Sequence, residues 1–312
     1  MRINSDPLSP FGDWDKLILV QFYHGKLINK YFLMSNQDIR FNYIVTVHNK
    51  QNLIREVLLG IINAAGVNSH IYPVLDGCND ASEKIIDELI RRYPAVNISK
   101  LFASDVHELK SINIGLSNAD QQGIGYNIIL QDDVILADKN IEKKCINLYQ
   151  NFPKLGLLSF RHGGNISRER YHDESSFEFP LTDYIQNQCG HYPNPRQTLK
   201  TGFFTFKEIV IKSPICIPFN IVRDLGMPDE KYAPWDDMAY SYHVSYAGYA
   251  NGVLSINFIS DVSWGTTRNK KQRFDVERVM ADNLVTLREQ YHQIPPLDTK
   301  KYSGKQYQIF LT

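Results

Sequence analysis

The chain has 312 residues, 43% of them hydrophobic and 22% charged, the balance of a soluble globular protein long enough for one large domain. Its 34 lysines and arginines are matched by 34 aspartates and glutamates, so no global field draws it to nucleic acid or to an acidic membrane, which argues against bulk nucleic-acid binding. Four scattered cysteines (Cys78, Cys145, Cys189, Cys216) form no CxxC pair, which excludes a zinc site or a disulfide frame and fits reduced thiols in a cytoplasmic protein.

Residues 1–40 form an N-terminal extension that fits no repeat. They lack the basic-then-apolar grammar of a signal peptide, and their longest apolar run, LILVQFY at 17–23, is far shorter than the roughly 20 residues that span a bilayer. The expectation is a chain without a transmembrane segment, cytoplasmic, and peripheral to the inner face of a membrane where it meets one. NYIVTVH (42–48) is apolar and β-branched at nearly every position, as a strand buried on both faces should be. Leu53, Ile54, Val57, Leu58, Ile61 and Ile62 then fall at the spacing of an amphipathic helix. HIYPVL (70–75) predicts a second strand, and Ala81–Tyr93 a helix with Ile85, Ile86, Leu89 and Ile90 on its apolar face. VNISKLF (96–102), a helix near 108–119 and YNIILQ (126–131) repeat the cycle, and LGLLSF (155–160) is a further strand. Such alternation predicts an α/β domain with a largely parallel sheet covered by helices.

Residues 161–200 are rich in Arg, His, Tyr, Asn and Pro and carry little periodicity, the composition of a binding segment or lid. Order resumes with FFTFKEIVI, helices at 218–226 and 236–247, and a strand NGVLSINFI; a polar helix near 271–292 and a Lys-, Tyr- and Gln-rich tail follow.

Ligands of a parallel sheet collect at the carboxyl ends of its strands. VHNKQN (47–52) follows the first strand and LDGCND (75–80) the second. Asp76 can accept from a nucleobase N–H or a ribose hydroxyl; Asn79 and Asp80 also read as shapers of a turn that cap the next helix. LQDDVIL (130–136), the third such cluster, ends the strand YNIILQ with adjacent carboxylates, which repel each other and resist burial unless neutralised, as by a hard divalent cation with oxygen ligands. In APWDDMAYSYH (233–243), Asp236 and Asp237 open a helix, where they read either as caps or as a general base beside aromatic side chains that stack on sugar rings.

Taken together, these clusters resemble the inverting glycosyltransferases of family 2, which have the GT-A fold. IVTVHNKQNLIREVLLGI resembles that family's first strand, nucleotide-contacting turn and helix. PVLDGCNDASEKII resembles its D-G-S-x-D element with Cys78 in the serine position, HELKSINIGLSNAD the helix before the metal strand, and LQDDVIL its D-x-D motif. RDLGMPDEKYAPWDDMAYSYHVSYAGY resembles its acceptor-side segment. The resemblance implies a domain over 41–265, with 161–200 as acceptor lid and 266–312 as a C-terminal helix and tail. It further implies a donor site of Thr46, His48, Asn49, Asp76, Lys110, Asn113 and Asp132, and a divalent metal, Mn2+ or Mg2+, on Asp133 with Asp132. Asp237 would be the catalytic base, and Trp235, Asp236, Arg161 and His162 would meet the acceptor. The implied donor is a nucleoside-diphosphate sugar, UDP-sugar favoured, and the acceptor a glycan or lipid-linked glycan in surface polysaccharide synthesis. Two positions depart from the pattern: Gln131 stands at the first acidic place of the metal motif, and ISDVSWGTT (259–267) offers Asp261 where the family often has a histidine.

Neither a nucleotidyltransferase nor a dinucleotide dehydrogenase fits, because both need a glycine-rich loop after the first strand and VHNKQN contains no glycine. The remaining alternative is a sugar- or nucleotide-binding protein of the same fold that has lost turnover.

Overall fold

The structure, a computed structural model, describes residues 39–160, 201–206, 210–233 and 236–259, with 282, 285, 286, 289, 290 and 307–309. Nearly all of the N-terminal extension, the segment 161–200 and most of the C-terminal helix and tail lie outside the described residues, and so do Trp235, Arg161, His162 and Asp261.

The sheet is organised around β1 (Arg40–Val47), whose residues from Phe41 onward are all buried. It pairs in parallel with β2 (Ser69–Asp76) on one side and β5 (Gly125–Gln131) on the other, with Thr46 opposite Val74 and Gln131. Two short strands, β3 (Asn97–Ile98) and β4 (Leu101–Ala103), extend β2 in parallel. Beyond β5 the sheet turns mixed: β9 (Ile215–Pro218) runs antiparallel between β5 and β7 (Leu155–Ser159). β10 (Ala250–Leu254) is parallel to β7 and antiparallel to β8 (Phe203–Phe206), which β12 (Tyr307–Gln308) borders. The order is β12-β8-β10-β7-β9-β5-β1-β2-β3, with β4 also on β2. A separate two-stranded ribbon joins β6 (Ile135–Leu136) to β11 (Phe258–Ile259).

Strand alternation divides the core between the two faces. Tyr43, Val45 and Val47 face one side, where they meet α1 (Ile54–Ala64), α2 (Ser82–Arg92) and α4 (Ile141–Asn151) through Ile54, Val57, Leu58, Ile86, Leu89, Cys145 and Leu148. Ile44 faces the other, with Val74 and Ile129, against α3 (Glu108–Asn118), α5 (Phe219–Leu225) and α6 (Asp236–Tyr246) through Ile112, Leu116, Ile221, Tyr240 and Val244. Helices on both faces of a mostly parallel sheet follow from the unbroken apolar strands, which cannot leave either face to water. Among the described residues no helix is long and apolar enough to cross a membrane.

Four elements differ from their predicted form. VNISKLF divides into β3 and β4, with the Ser99 amide still donating to Ile71 O at 2.9 Å. NGVLSINFI divides into β10 and β11, which leave for different partners. Helix α4 was not predicted, although Ile141, Cys145, Leu148 and Tyr149 stand at helical spacing and are buried. Nor was β9, whose four residues were too few for alternation to register.

Close packing places one glycine under a specific constraint. A Cβ on Gly60 in α1 would sit 2.8 Å from Leu136 O and 2.9 Å from Leu136 N, backbone atoms of the short strand that follows Asp132 and Asp133. Gly60→Ala should therefore destabilise the domain by about 1–3 kcal/mol, the usual cost of overpacking, lowering the urea midpoint; an unchanged midpoint would show that helix and ribbon can separate freely.

Candidate active site

Because β1, β2 and β5 run parallel, their carboxyl ends open onto one edge of the sheet, and the turns that follow them supply the polar groups there. Asn49 adopts a left-handed backbone, with φ of 50°, a conformation that asparagine tolerates better than most residues. The turn it makes is tied to the turn after β2. Asn49 Oδ1 accepts the Asn79 amide at 2.9 Å, Asp80 Oδ2 the Gln51 amide at 2.9 Å, Gln51 Oε1 the Ala81 amide at 3.0 Å, and Ser82 Oγ the Lys50 amide at 2.9 Å. Asp80 Oδ1 also accepts from the Ser82 amide at 2.9 Å at the start of α2, so Asp80 shapes the turn and satisfies a first-turn N–H of the helix, while Asn79 joins the turn through its backbone amide.

His48 links the strand ends. Its backbone N–H donates to Asp132 Oδ2 at 2.8 Å, and its Nδ1 lies 2.6 Å from Asp76 O. Since a carbonyl can only accept, this contact places the ring proton on Nδ1. Thr46 is buried at the end of β1. Asp76 is buried as well, and its Oδ1 accepts the Val106 amide at 2.6 Å. It thereby fixes a loop in which Asp105 and His107 both have positive φ, 55° and 75°. Ligand atoms of His48, Asp76 and Asp105 lie within 4.8 Å of one another.

Asp132 is held on its other oxygen by Lys50, whose Nζ is 3.4 Å from Oδ1. Burial pushes the Asp132 carboxyl up to about 6, against the pull of Lys50 and the His48 N–H, and Asp133 beside it adds to the rise. Asp133 also acts on Glu108, the first residue of α3, whose carboxyl is raised chiefly by burial. Glu108 Oε1 accepts from Gln131 Nε2 at 2.6 Å. Gln131, in the family's first acidic position, thus donates to a carboxylate instead of being one. An all-oxygen acidic set at the end of β5 has the chemistry of a hard divalent cation's ligands.

The acid pair of α6 joins this edge through Lys212. The Lys212 Nζ donates to Asp236 Oδ2 and lies 4.0 Å from Glu108 Oε1, while its backbone N–H donates to Asp237 Oδ1 at 2.9 Å. Asp236 is 3% exposed, whereas Asp237 is only partly buried. Burial pushes the Asp237 carboxyl up to about 8; Lys212 opposes the rise, and Asp236 and Glu108 add to it. Burial works against the charge of Lys212, but Asp236, Glu108 and Asp237 outweigh it and hold the amine above its ordinary range.

Two of the sequence-derived donor residues, Asn113 and Lys110, also have protein partners. Asn113 Nδ2 donates to Pro228 O at 3.0 Å and Glu230 Oε1 at 3.1 Å, and the Lys110 Nζ lies 3.9 Å from Glu230. Both tie α3 to the segment that leads into α6. Sequence reasoning missed Lys50, Asp105, Glu108 and Lys212. The first three sit inside or beside motifs already singled out; Lys212 is signalled only as a lone cation between apolar neighbours.

A family model described as glycosyl transferase family 2 matches residues 43–222, more than half of the chain. No curated protein sequence matches it significantly. Among similar solved structures, GalNAc-T7 with UDP, GalNAc and Mn2+ has a TM-score of 0.56 at 12% identity, over 80% of this chain and 48% of that one. The mannosyltransferase PcManGT from Pyrobaculum calidifontis, in complex with GDP-Man and Mn2+, has a TM-score of 0.52 at 14% identity, over 82% and 65%. S. aureus TarS in complex with UDP has 0.50 at 14% identity, over 85% and 73%. At these identities the likeness establishes the fold, and the chain spans less than two thirds of the length of the first two.

The capping role of Asp80 has a measurable consequence. Burial alone would raise its carboxyl, but the hydrogen bonds from Ser82 and Gln51 overcome this and hold it below the usual aspartate value. A group depressed by folding stabilises above its unfolded pKa, and that contribution is lost as pH falls through its folded value. Asp80→Ala should cost about 1 kcal/mol at neutral pH, as for other lost caps, and the gap to wild type should close in acid; equal melting temperatures at pH 7 would refute the cap.

Proposed function

The chain belongs to glycosyl transferase family 2, and we propose that it moves a sugar from a nucleoside-diphosphate donor, a UDP-sugar, onto a hydroxyl of a glycan or lipid-linked glycan acceptor, with inversion at the anomeric carbon. The reading is supported above all by one observation: Asp76, Asp132, Glu108, Asp236 and Asp237 meet at a single edge of the sheet, although they come from elements far apart in sequence. UDP in two of the similar structures favours that donor.

On this reading His48, Asn49, Thr46 and Asp76 form the nucleoside wall, and Asp76, its Oδ1 fixed by the Val106 amide, accepts from a base N–H. A divalent cation would be held by Asp133 with Asp132, and when bound it supplies Lewis-acid neutralisation of the diphosphate leaving group. Asp237 takes the proton of the acceptor hydroxyl as that oxygen bonds to the anomeric carbon and the carbon–oxygen bond to the diphosphate breaks. Asp236, turned about 100° away on the helix, stays on Lys212. Residues 161–200, with Arg161 and His162, and Trp235 would close over the acceptor.

UDP titrated by calorimetry with and without Mn2+ tests the donor side. Binding should weaken severalfold or more in chelator, because Asp132 and Asp133 then face two phosphates with like charge. Asp76→Ala should weaken it too while leaving the fold intact. Nucleotide affinity indifferent to both changes would overturn the donor assignment.

The acceptor side is tested by rate. Asp237→Asn keeps the size but loses the basic oxygen, so kcat should fall by about 10²–10⁴-fold, the usual worth of a general base, with nucleotide affinity unchanged. A base must be ionised to act, and the Asp237 carboxyl sits at about 8. Wild-type kcat should therefore climb with pH through that value, and Asp237→Asn should flatten the climb. A fully active Asp237→Asn enzyme would place the base elsewhere.

A further inference from the structure

The acid pair at the head of α6 presents a chemical ambiguity that its sequence does not resolve. Asp236 and Asp237 are adjacent, both are held in a largely buried setting, and either could receive a proton. One residue from outside the helix, Lys212, bonds to them both, through its side chain and its backbone. The ammonium of Lys212 is hydrogen-bonded to Asp236, and the backbone N–H of the same residue holds Asp237 Oδ1 at 2.9 Å. We propose that Lys212 is a positioning residue that selects the base, its ammonium clamping Asp236 while its amide aims Asp237 at the acceptor. The inference rests on the reading of Asp237 as the base.

Three carboxylates surround this one amine: Asp236 and Asp237 from α6, and Glu108 from α3 at 4.0 Å. A buried carboxylate stays ionised only when a cation or several donors accompany it. Asp236, 3% exposed, has the ammonium. Among the described residues Asp237 has a single neutral amide as donor and the more open position, so it is the member able to exchange a proton with a substrate. Without the ammonium, Asp236 would need a proton of its own, and the two carboxyls would share the next one as a coupled pair. The divided grip also explains why a lysine, and not an apolar residue, stands in this stretch. The Lys212 side chain is only 20% exposed, which makes an unpaired ammonium costly there.

A purely structural ion pair would stabilise the fold without touching the chemistry, and kinetics separate the two. Lys212→Met keeps the stem and the backbone N–H and removes the charge; Lys212→Arg keeps the charge; Lys212→Met combined with Asp236→Asn removes both charges together, a replacement that buried pairs often tolerate. For each, kcat as a function of pH, donor KM, UDP binding and melting temperature are measured. Lys212→Met should lose at least about 100-fold in kcat at neutral pH, the low end of what a base contributes, with donor KM within about threefold. Its kcat should climb at higher pH than wild type. Lys212→Arg should stay within about tenfold of wild type. The double variant should recover to a similar level, since Asp236→Asn can no longer compete for the proton.

A folded Lys212→Met enzyme with unchanged kcat, or with a loss equal at every pH, overturns the proposal. Should that variant not fold, the double variant decides: folded and inactive at every pH, it overturns the proposal; active again, it supports it. Asp237→Asn distinguishes this failure from that of the underlying reading. If Asp237→Asn is fully active the base assignment falls and Lys212 with it, whereas an inactive Asp237→Asn beside an unaffected Lys212→Met sinks only the selection role.

Discussion

Parallel pairing of three strands is the constraint from which the rest of the site follows. With β1, β2 and β5 aligned, every turn that leaves them emerges at the same edge, so acidic residues remote in sequence are forced into one low-dielectric neighbourhood. Carboxylates so gathered repel one another and lose hydration. The molecule meets that cost with two lysines placed on opposite flanks, Lys50 against Asp132 and Lys212 between Glu108 and Asp236. The remaining strain is expressed as protonation: Asp132, Glu108 and Asp237 all hold their protons more tightly than free carboxylates do. A site that needs cations at some carboxylates and a mobile proton at another has been built from one electrostatic circumstance.

Much of this was legible in the sequence, for a physical reason. Strands buried on both faces cannot hide their composition, and β1 and β5 announce themselves by continuous apolar runs. Helices α1 and α2 were legible because one face is buried and the other wet, so their periodicity is written in the residues. Where that contrast is weak the reading failed. Four-residue β9 is too short to alternate, and α4 carries its buried set of Ile141, Cys145, Leu148 and Tyr149 between charged and polar positions that resemble the loops around it. The split of NGVLSINFI into β10 and β11 was invisible because the partner of β11 is β6, a two-residue strand some 120 positions earlier, and pairing partners are not encoded locally.

The same distinction separates the site residues. Asp76, Asp132 and Asp237 stand at strand or helix ends, where position alone suggests chemistry. Lys212 and Glu108 owe their place to tertiary contact: Lys212 belongs to no motif, Glu108 lies inside one without standing out in it, and each becomes meaningful only when α3, α6 and the segment before β9 converge. Asn113 shows the converse. The resemblance suggested a ligand contact for it, and its Nδ2 is held by Pro228 and Glu230, anchoring the approach to α6, while its Oδ1 is buried without a hydrogen-bond partner among the described residues. A polar residue near a site can serve the scaffold as readily as the ligand, and hydrogen-bond partners, not residue type, tell the two apart.

The interlaced turns after β1 and β2 carry a consequence for energetics. Asn49 with Asn79, Gln51 with Asp80 and Ala81, and Lys50 with Ser82 fasten the two loops to each other through reciprocal side-chain-to-backbone bonds. Loops fastened in this way have little conformational freedom left to lose when a ligand arrives, and ordering entropy is one of the main terms that association must offset. The nucleoside wall proposed for these turns would in that sense be a rigid mould, with its shape set during folding and not during recognition. Recognition on that flank would then be a matter of fit, with a base of the wrong outline refused by walls that do not rearrange to receive it.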